Sequence, residues 1–171
     1  MTNFHDAYVQ RFTSLTEPVH IRKLDPKSGK CEPWFTILPQ EVLPELVIRP
    51  DALRHQIDTI TVAIGWWSRL SAHTRRVLDV QERHLRSWQA GVELAALVEA
   101  KAENEKAPTQ RQIEAKYRGD DEYRRLTELV EEAQEAHNAV EGFADAFREK
   151  ARLLSRDVYR GRDGTLERWS P

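Results

Sequence analysis

The chain has 171 residues, a formal net charge of −2 and a charged fraction of 32%. This length is typical of one domain. Because the net charge is close to zero, any contact with nucleic acid requires a local basic face. One cysteine, Cys31, excludes an internal disulfide and is typical of a reducing compartment. No apolar run approaches the length of a membrane span and the first residues lack a signal-peptide pattern, so we expect a cytoplasmic protein without a membrane partner.

Residues 1–48 form a proline-rich N-terminal segment for which we predict a β-hairpin. Six of the eight prolines lie within the first 50 residues, which excludes a long helix there. Apolar and polar residues alternate over 19–24, a turn sequence occupies 25–29, and an apolar run follows at 34–38. This order predicts two antiparallel strands.

Two other parts of this segment are less regular. Residues 46–48 are interpreted as a short third strand or an extended lead-in to the next helix. The first dozen residues carry Phe4, Tyr8, Val9 and Phe12, and they are interpreted as a short amphipathic helix or a loose arm.

Residues 49–160 carry two long apolar seams with a period close to 3.5 residues, one over 53–95 and the other over 123–158. This period is typical of long helices that pack lengthwise against each other. Asp51 is the expected N-cap of the first helix. The predicted fold is therefore mainly α, with a long, coiled-coil-like helical hairpin and a small N-terminal β-hairpin.

A short helix is predicted between the two long ones. Pro108 breaks the first helix, and Thr109 with Gln112 fits a capping box. The last helix is predicted to end near Tyr159, and residues 161–171 are predicted to be a basic tail.

Self-association is predicted from the width of the apolar stripe. Two paired helices cover only one stripe of each other, and apolar residues extend beyond the seams, so we expect further helices in the bundle. The seam residues assigned to the homo-oligomer contact are Trp67, Leu78, Leu85, Trp88, Val140, Phe147 and Leu154.

Catalytic and metal-binding patterns are absent from the sequence. The seven glycines are scattered, and no His-x-x-x-His or Cys-x-x-Cys pair occurs. We therefore predict a protein that is not an enzyme and has no catalytic residue, metal or cofactor. His137 occupies a seam position, where we favour a buried polar layer that sets the register over a metal ligand or a switch.

Basic residues form two patches in the sequence. Arg69, Arg76 and Arg83 recur at intervals of seven residues on one outer face of the first helix, and the end of the last helix is also basic. If the hairpin folds back, the patches share one end and could track a phosphate backbone. The alternative is salt bridging to the acidic half of a neighbouring protomer. The residues assigned to phosphate contact are Arg69, Arg76, Arg83, Arg148, Lys150, Arg152 and Arg156.

A family resemblance is carried by several segments in order: residues 47–53, 63–70, 99–101, 107–109 with 113–114, 119–126 and 147–154. In order and spacing, this part of the chain resembles the UvsY-type recombination mediators of tailed bacteriophages. The resemblance implies a hairpin that assembles into a ring, binds single-stranded DNA and helps a RecA-like recombinase to displace single-strand-binding protein.

The resemblance has two departures, and an alternative function stays open. Ala95 and Ala96 stand where family lysines or arginines are expected, so DNA contact would fall to other arginines. Residues 1–45 have no counterpart in the family. We predict a recombination mediator in the cytoplasm of a phage-infected host cell. The alternative is a non-catalytic helical scaffold or adaptor that binds a protein partner through its N-terminal segment.

Overall fold

The computed structural model describes residues 17–25, 27–104 and 106–160, without the side chains of 157–160. In chain order the elements are strands β1 (Val19–Leu24) and β2 (Cys31–Ile37), helix α1 (Pro39–Leu46), a 3-10 turn (Pro50–Ala52), and helices α2 (Leu53–Ala102), α3 (Gln110–Arg118) and α4 (Asp121–Arg160). The predicted N-terminal arm and the predicted basic tail lie outside the described residues. None of the helices described is apolar enough over sufficient length to cross a membrane.

Two long helices dominate the fold and confirm the predicted helical hairpin. Helix α2 has 50 residues, which corresponds to a length of about 75 Å. The rings of Trp88 and Tyr123 lie 5.8 Å apart, and those of Trp67 and Phe143 lie 5.0 Å apart. Since residues later in α2 meet residues earlier in α4, the two helices run antiparallel.

The connection between the long helices follows its sequence signals. The capping box at the start of α3 is present, and the Thr109 backbone N–H donates to Gln112 Oε1 at 2.8 Å. At the start of α4, Asp120 Oδ1 accepts a hydrogen bond from the backbone N–H of Glu122 at 2.7 Å. These polar side chains satisfy helix N–H groups that have no partner within the helix.

The β-hairpin is also confirmed, and it packs across both long helices. Strands β1 and β2 are antiparallel, and the alternation of β1 turns Val19 and Ile21 inward, away from solvent. Together with Ile37 they belong to the same hydrophobic cluster as Trp67 and Phe143. The N-terminal segment therefore shares one core with the helical hairpin.

One open alternative is decided and one predicted cap is wrong. Residues 46–48 form no strand: Leu46 is the last residue of α1, and the extended backbone at Val47 agrees with the other alternative, an extended lead-in. That helix begins at a proline, where the missing N–H is harmless, and it contains a second proline, Pro44. Asp51 is not the N-cap of α2: it lies inside the 3-10 turn, and the N-cap position is Ala52, which makes no side-chain cap hydrogen bond.

Most of the seam residues assigned to oligomer contact lie in the core of the single chain. Five of them have exposed fractions between 0% and 4%: Trp67, Leu78, Val140, Phe147 and Leu154. Burial within the chain corrects the assignment of these five. Leu85 and Trp88 are half-buried, and Trp88 packs on Tyr117 and Tyr123, so their assignment to an oligomer contact stays a prediction.

A buried polar layer crosses the hairpin at His137, as predicted. His137 is 7% exposed and Thr74 is 3% exposed. The Nδ1 atom of His137 lies 3.2 Å from the Oγ1 atom of Thr74. The Thr74 hydroxyl donates to the Ser71 carbonyl at 3.0 Å, so the imidazole Nδ1–H donates to the hydroxyl oxygen. No buried side-chain nitrogen or oxygen atom among the described residues lacks a hydrogen-bond partner.

Candidate nucleic-acid interface

Three of the predicted phosphate-binding arginines form one exposed row on α2. Arg69, Arg76 and Arg83 are all exposed, and successive members are separated by two helical turns, or about 10.5 Å along the axis. The Nε atoms of Arg69 and Arg83 each donate to the carbonyl four residues earlier, at 3.1 Å. These bonds hold the side chains along the helix, and the Nη groups of both arginines make no hydrogen bond or ion pair with another described residue.

The charge of this row is not neutralised within the described part of the chain. The nearest acids on the same stretch of helix pair with other arginines: Asp79 with Arg75 at 3.1 Å and Glu82 with Arg86 at 2.7 Å. Among the described residues, no carboxylate pairs with Arg69, Arg76 or Arg83. The row is therefore a local basic face on a chain whose net charge is close to zero.

Two exposed tryptophans border the row. Ile21 pairs with Phe35 and Arg22 pairs with Pro33, so Trp34 is the extra residue of a β-bulge, a feature that redirects a side chain out of the strand pattern. Its indole is 53% exposed and lies edge-on to the His73 ring at 5.2 Å. Trp66 is 44% exposed, and its ring lies 6.4 Å from that of Phe35.

A hydrogen bond fixes the position of this aromatic border on the helix. His73 Nε2 lies 2.8 Å from the carbonyl oxygen of Arg22, and because a carbonyl only accepts, Nε2 carries the proton. This contact ties β1 to α2 beside Trp34. We call Trp34, Trp66, Arg69, Arg76 and Arg83 together the arginine–tryptophan face.

The predicted basic residues of α4 differ from those of α2. Arg148 pairs with Asp145, and Arg152 pairs with Glu149. Arg148 Nη2 also donates to Ser68 Oγ on α2 at 3.1 Å. The charges of Arg148 and Arg152 are thus offset by a carboxylate one turn away. Arg156 is exposed and makes no ion pair with another described residue.

Lys150 does not belong to an exposed basic surface, which corrects its assignment to phosphate contact. Lys150 is 6% exposed. Its Nζ donates to the carbonyl oxygens of Glu45 at 2.5 Å and Val47 at 3.3 Å. Burial lowers the pKa of the ammonium, and the nearby Arg49 lowers it further. The lysine instead binds the C-terminal end of α1, where helix carbonyls lack partners.

The exposure of the two tryptophans is visible only in the structure. Trp34 and Trp66 lie off the seams and pack where the β-hairpin meets the helix. Each nevertheless keeps about half of its surface exposed. The only sequence signal for this was their position outside the heptad pattern, because the bulge at Trp34 has no signature in a single sequence.

The described residues contain no group of three or more histidine, cysteine, aspartate or glutamate side chains placed to hold a metal ion. Comparison of the chain with models of known families, with curated proteins and with solved structures finds no match.

Proposed function

We propose that the chain is a non-catalytic protein that binds single-stranded DNA through the arginine–tryptophan face. The observation that carries this proposal is the row of Arg69, Arg76 and Arg83, unpaired within the described residues and bordered by two half-exposed indoles. Proteins that bind single strands without sequence preference combine a positive track for the backbone with aromatic side chains on which bases stack. Both elements lie on one side of α2 here.

The two kinds of side chain have different tasks in this proposal. The guanidinium groups bind phosphates, and their regular spacing along one helix suits an extended strand better than a folded one. The indoles of Trp34 and Trp66 stack on bases, which adds affinity without sequence readout because every base has a π-face. The β-hairpin serves to place Trp34 beside the helix.

The biological role that we propose is recombination mediation in a phage-infected cell. It is supported by the resemblance of the helical region to UvsY-type mediators. In this role a homo-oligomer, arranged as a ring, binds the single strand and loads a RecA-like recombinase in place of single-strand-binding protein.

The first test is the salt dependence of binding to a fluorescently labelled single-stranded oligonucleotide, measured by anisotropy. In a plot of log affinity against log salt concentration, the magnitude of the slope falls by about 0.7 for each phosphate contact that a single-strand-binding protein loses. The double variant Arg69→Gln/Arg76→Gln should therefore reduce the slope by about 1.4. The matched control Arg148→Gln/Arg152→Gln removes the same charge from arginines that already have carboxylate partners, and it should change the slope much less.

Equal losses in both double variants would show that affinity follows overall charge, and the assignment to the arginine–tryptophan face would then be wrong. Trp34→Ala adds an independent arm, because it should weaken binding while leaving the salt slope unchanged. No binding at low salt by the unmodified chain would overturn the whole proposal.

A specific observation favours a second candidate, a protein-binding helical scaffold. Near the far end of α2, Leu94, Leu97 and Val98 are 64%, 46% and 60% exposed, and clustered exposed apolar side chains often mark protein contacts. A second copy or another protein could cover them, in addition to a partner bound through the N-terminal segment. Light scattering run beside the DNA titration separates the candidates, because an oligomer that ignores DNA favours the scaffold.

A further inference from the structure

An open groove runs between the β-hairpin and α4, on a part of the molecule that the proposed function does not use except at Trp34. Its volume is about 980 Å³, at the upper end of the range for ligand pockets. Apolar and small residues contribute much of its lining, among them Val19, Ile21, Phe35, Ala136, Ala139 and Gly142.

The α4 side of the groove is shaped by residues without bulky side chains. Ala136, Ala139 and Gly142 follow one another at intervals of three residues and all line the groove. A glycine in the interior of a helix costs about 0.5–1 kcal/mol relative to alanine, and Gly142 lies in the middle of α4. Because these side chains are small, the α4 wall of the groove lies close to the helix backbone.

We propose that this groove binds the first sixteen residues of the same chain. The described chain starts at its rim, since Glu17 and Pro18 both line the groove. The preceding segment is thus tethered at the site, and tethering through a short connection gives an effective concentration in the millimolar range. A free peptide or a second copy has no such advantage.

The composition of the segment complements the groove. Phe4, Tyr8 and Phe12 are spaced four residues apart, the interval that brings side chains to one face of a helix. Aromatic rings supply the bulk that the alanines and the glycine of α4 lack, and each aromatic side chain buries a large apolar area on docking.

Disulfide trapping in the full chain tests the proposal. In a Cys31→Ser background, Val9→Cys is combined with Ala139→Cys, which lies in the groove, or with Glu135→Cys, one turn earlier on α4. Val9 is used because all three aromatic residues then remain. The matched control pairs Val9→Cys with Ala95→Cys, an exposed alanine on the far part of α2. Mild oxidation should give an intrachain bridge with a groove position and none with Ala95.

Each other outcome overturns the proposal. Equal bridging to the groove and to the control position would mean that the segment has no preferred site. Bridges that link two chains would assign the groove to the segment of a second copy, and the absence of bridging at both groove positions would leave the groove to a different occupant. Adding Phe4→Ser and Phe12→Ser to a bridging variant should reduce its bridging to the control level, because those rings provide the docking energy.

Discussion

Replacing Lys150 with methionine separates the structural from the DNA-binding basic residues. Methionine retains an unbranched apolar stem but removes the donor to the Glu45 and Val47 carbonyls. The Val47 carbonyl keeps a second partner, since Gln56 Nε2 donates to it at 2.9 Å. The Glu45 carbonyl, in the last turn of α1, loses the charged donor that approaches it at 2.5 Å.

The cost follows from that single acceptor. The bond is part-buried and its donor is charged, and the loss of such a bond costs about 1–3 kcal/mol of unfolding free energy. One kcal/mol shifts the Tm of a domain of this size by about 2–4 °C, so Lys150→Met should lower Tm by about 2–12 °C. Thermal unfolding followed by circular dichroism measures this shift. Oligonucleotide affinity, measured well below Tm, should remain at the level of the unmodified chain.

Arg152→Met is the matched control for this prediction. It removes a cation two residues along the same helix, from an exposed pair with Glu149, and such pairs contribute about 0.2–1 kcal/mol. If Lys150→Met melted like Arg152→Met and also weakened oligonucleotide binding, Lys150 would be a surface phosphate contact, and our account of it would be refuted.

Two further predictions concern other buried polar groups. Burial, with a smaller contribution from the adjacent Glu93 carboxylate, raises the pKa of Tyr117 from 10.0 to about 12. The neutral phenol therefore stabilises the folded chain fully below pH 10.0, and this stabilisation is lost as the pH rises toward 12. Ultraviolet difference titration should show a late-ionising tyrosine that Tyr117→Phe removes. Thr74→Val should lower the free energy of unfolding, measured in urea, by about 1–3 kcal/mol because His137 Nδ1 loses its buried partner. Thr74→Ser keeps the hydroxyl and should retain most of the stability. Equal losses in both variants would contradict the hydrogen-bond account.

The long elements were predictable because their signal accumulates along the chain. Many successive apolar residues at intervals of three and four define α2, and no single exception changes that pattern. The β-hairpin was predictable for a similar reason, since the inward positions Val19 and Ile21 alternate with outward ones around a turn sequence. The capping box at Thr109 depends only on residues three positions apart, so local reasoning was sufficient there.

Helix α1 was not predicted because its two prolines are unfavourable signals for a helix and tertiary contacts stabilise it. Pro39 is compatible with a first turn, but Pro44 lies inside the helix and removes a backbone donor. Burial of Val42 and Leu46 in the common core and the Lys150 ammonium at the Glu45 carbonyl offset that loss. Neither contact is visible in the local sequence, since Lys150 is more than one hundred residues away.

The candidate interface shows the same limit at the level of single side chains. Lys150 and Arg152 are two residues apart in a basic run, and composition alone treats them as equivalent. Their environments differ because positions half a helical turn apart point in different directions, so that Lys150 faces α1 whereas Arg152 faces solvent. Asp145 and Glu149 each lie three residues before Arg148 and Arg152 and pair with them. Arg69 has no acid three or four residues away. Arg76 does have one, but that acid, Asp79, pairs with Arg75 instead. Helical spacing to an acid therefore narrows the choice among basic residues, and the structure shows which of the possible pairs forms.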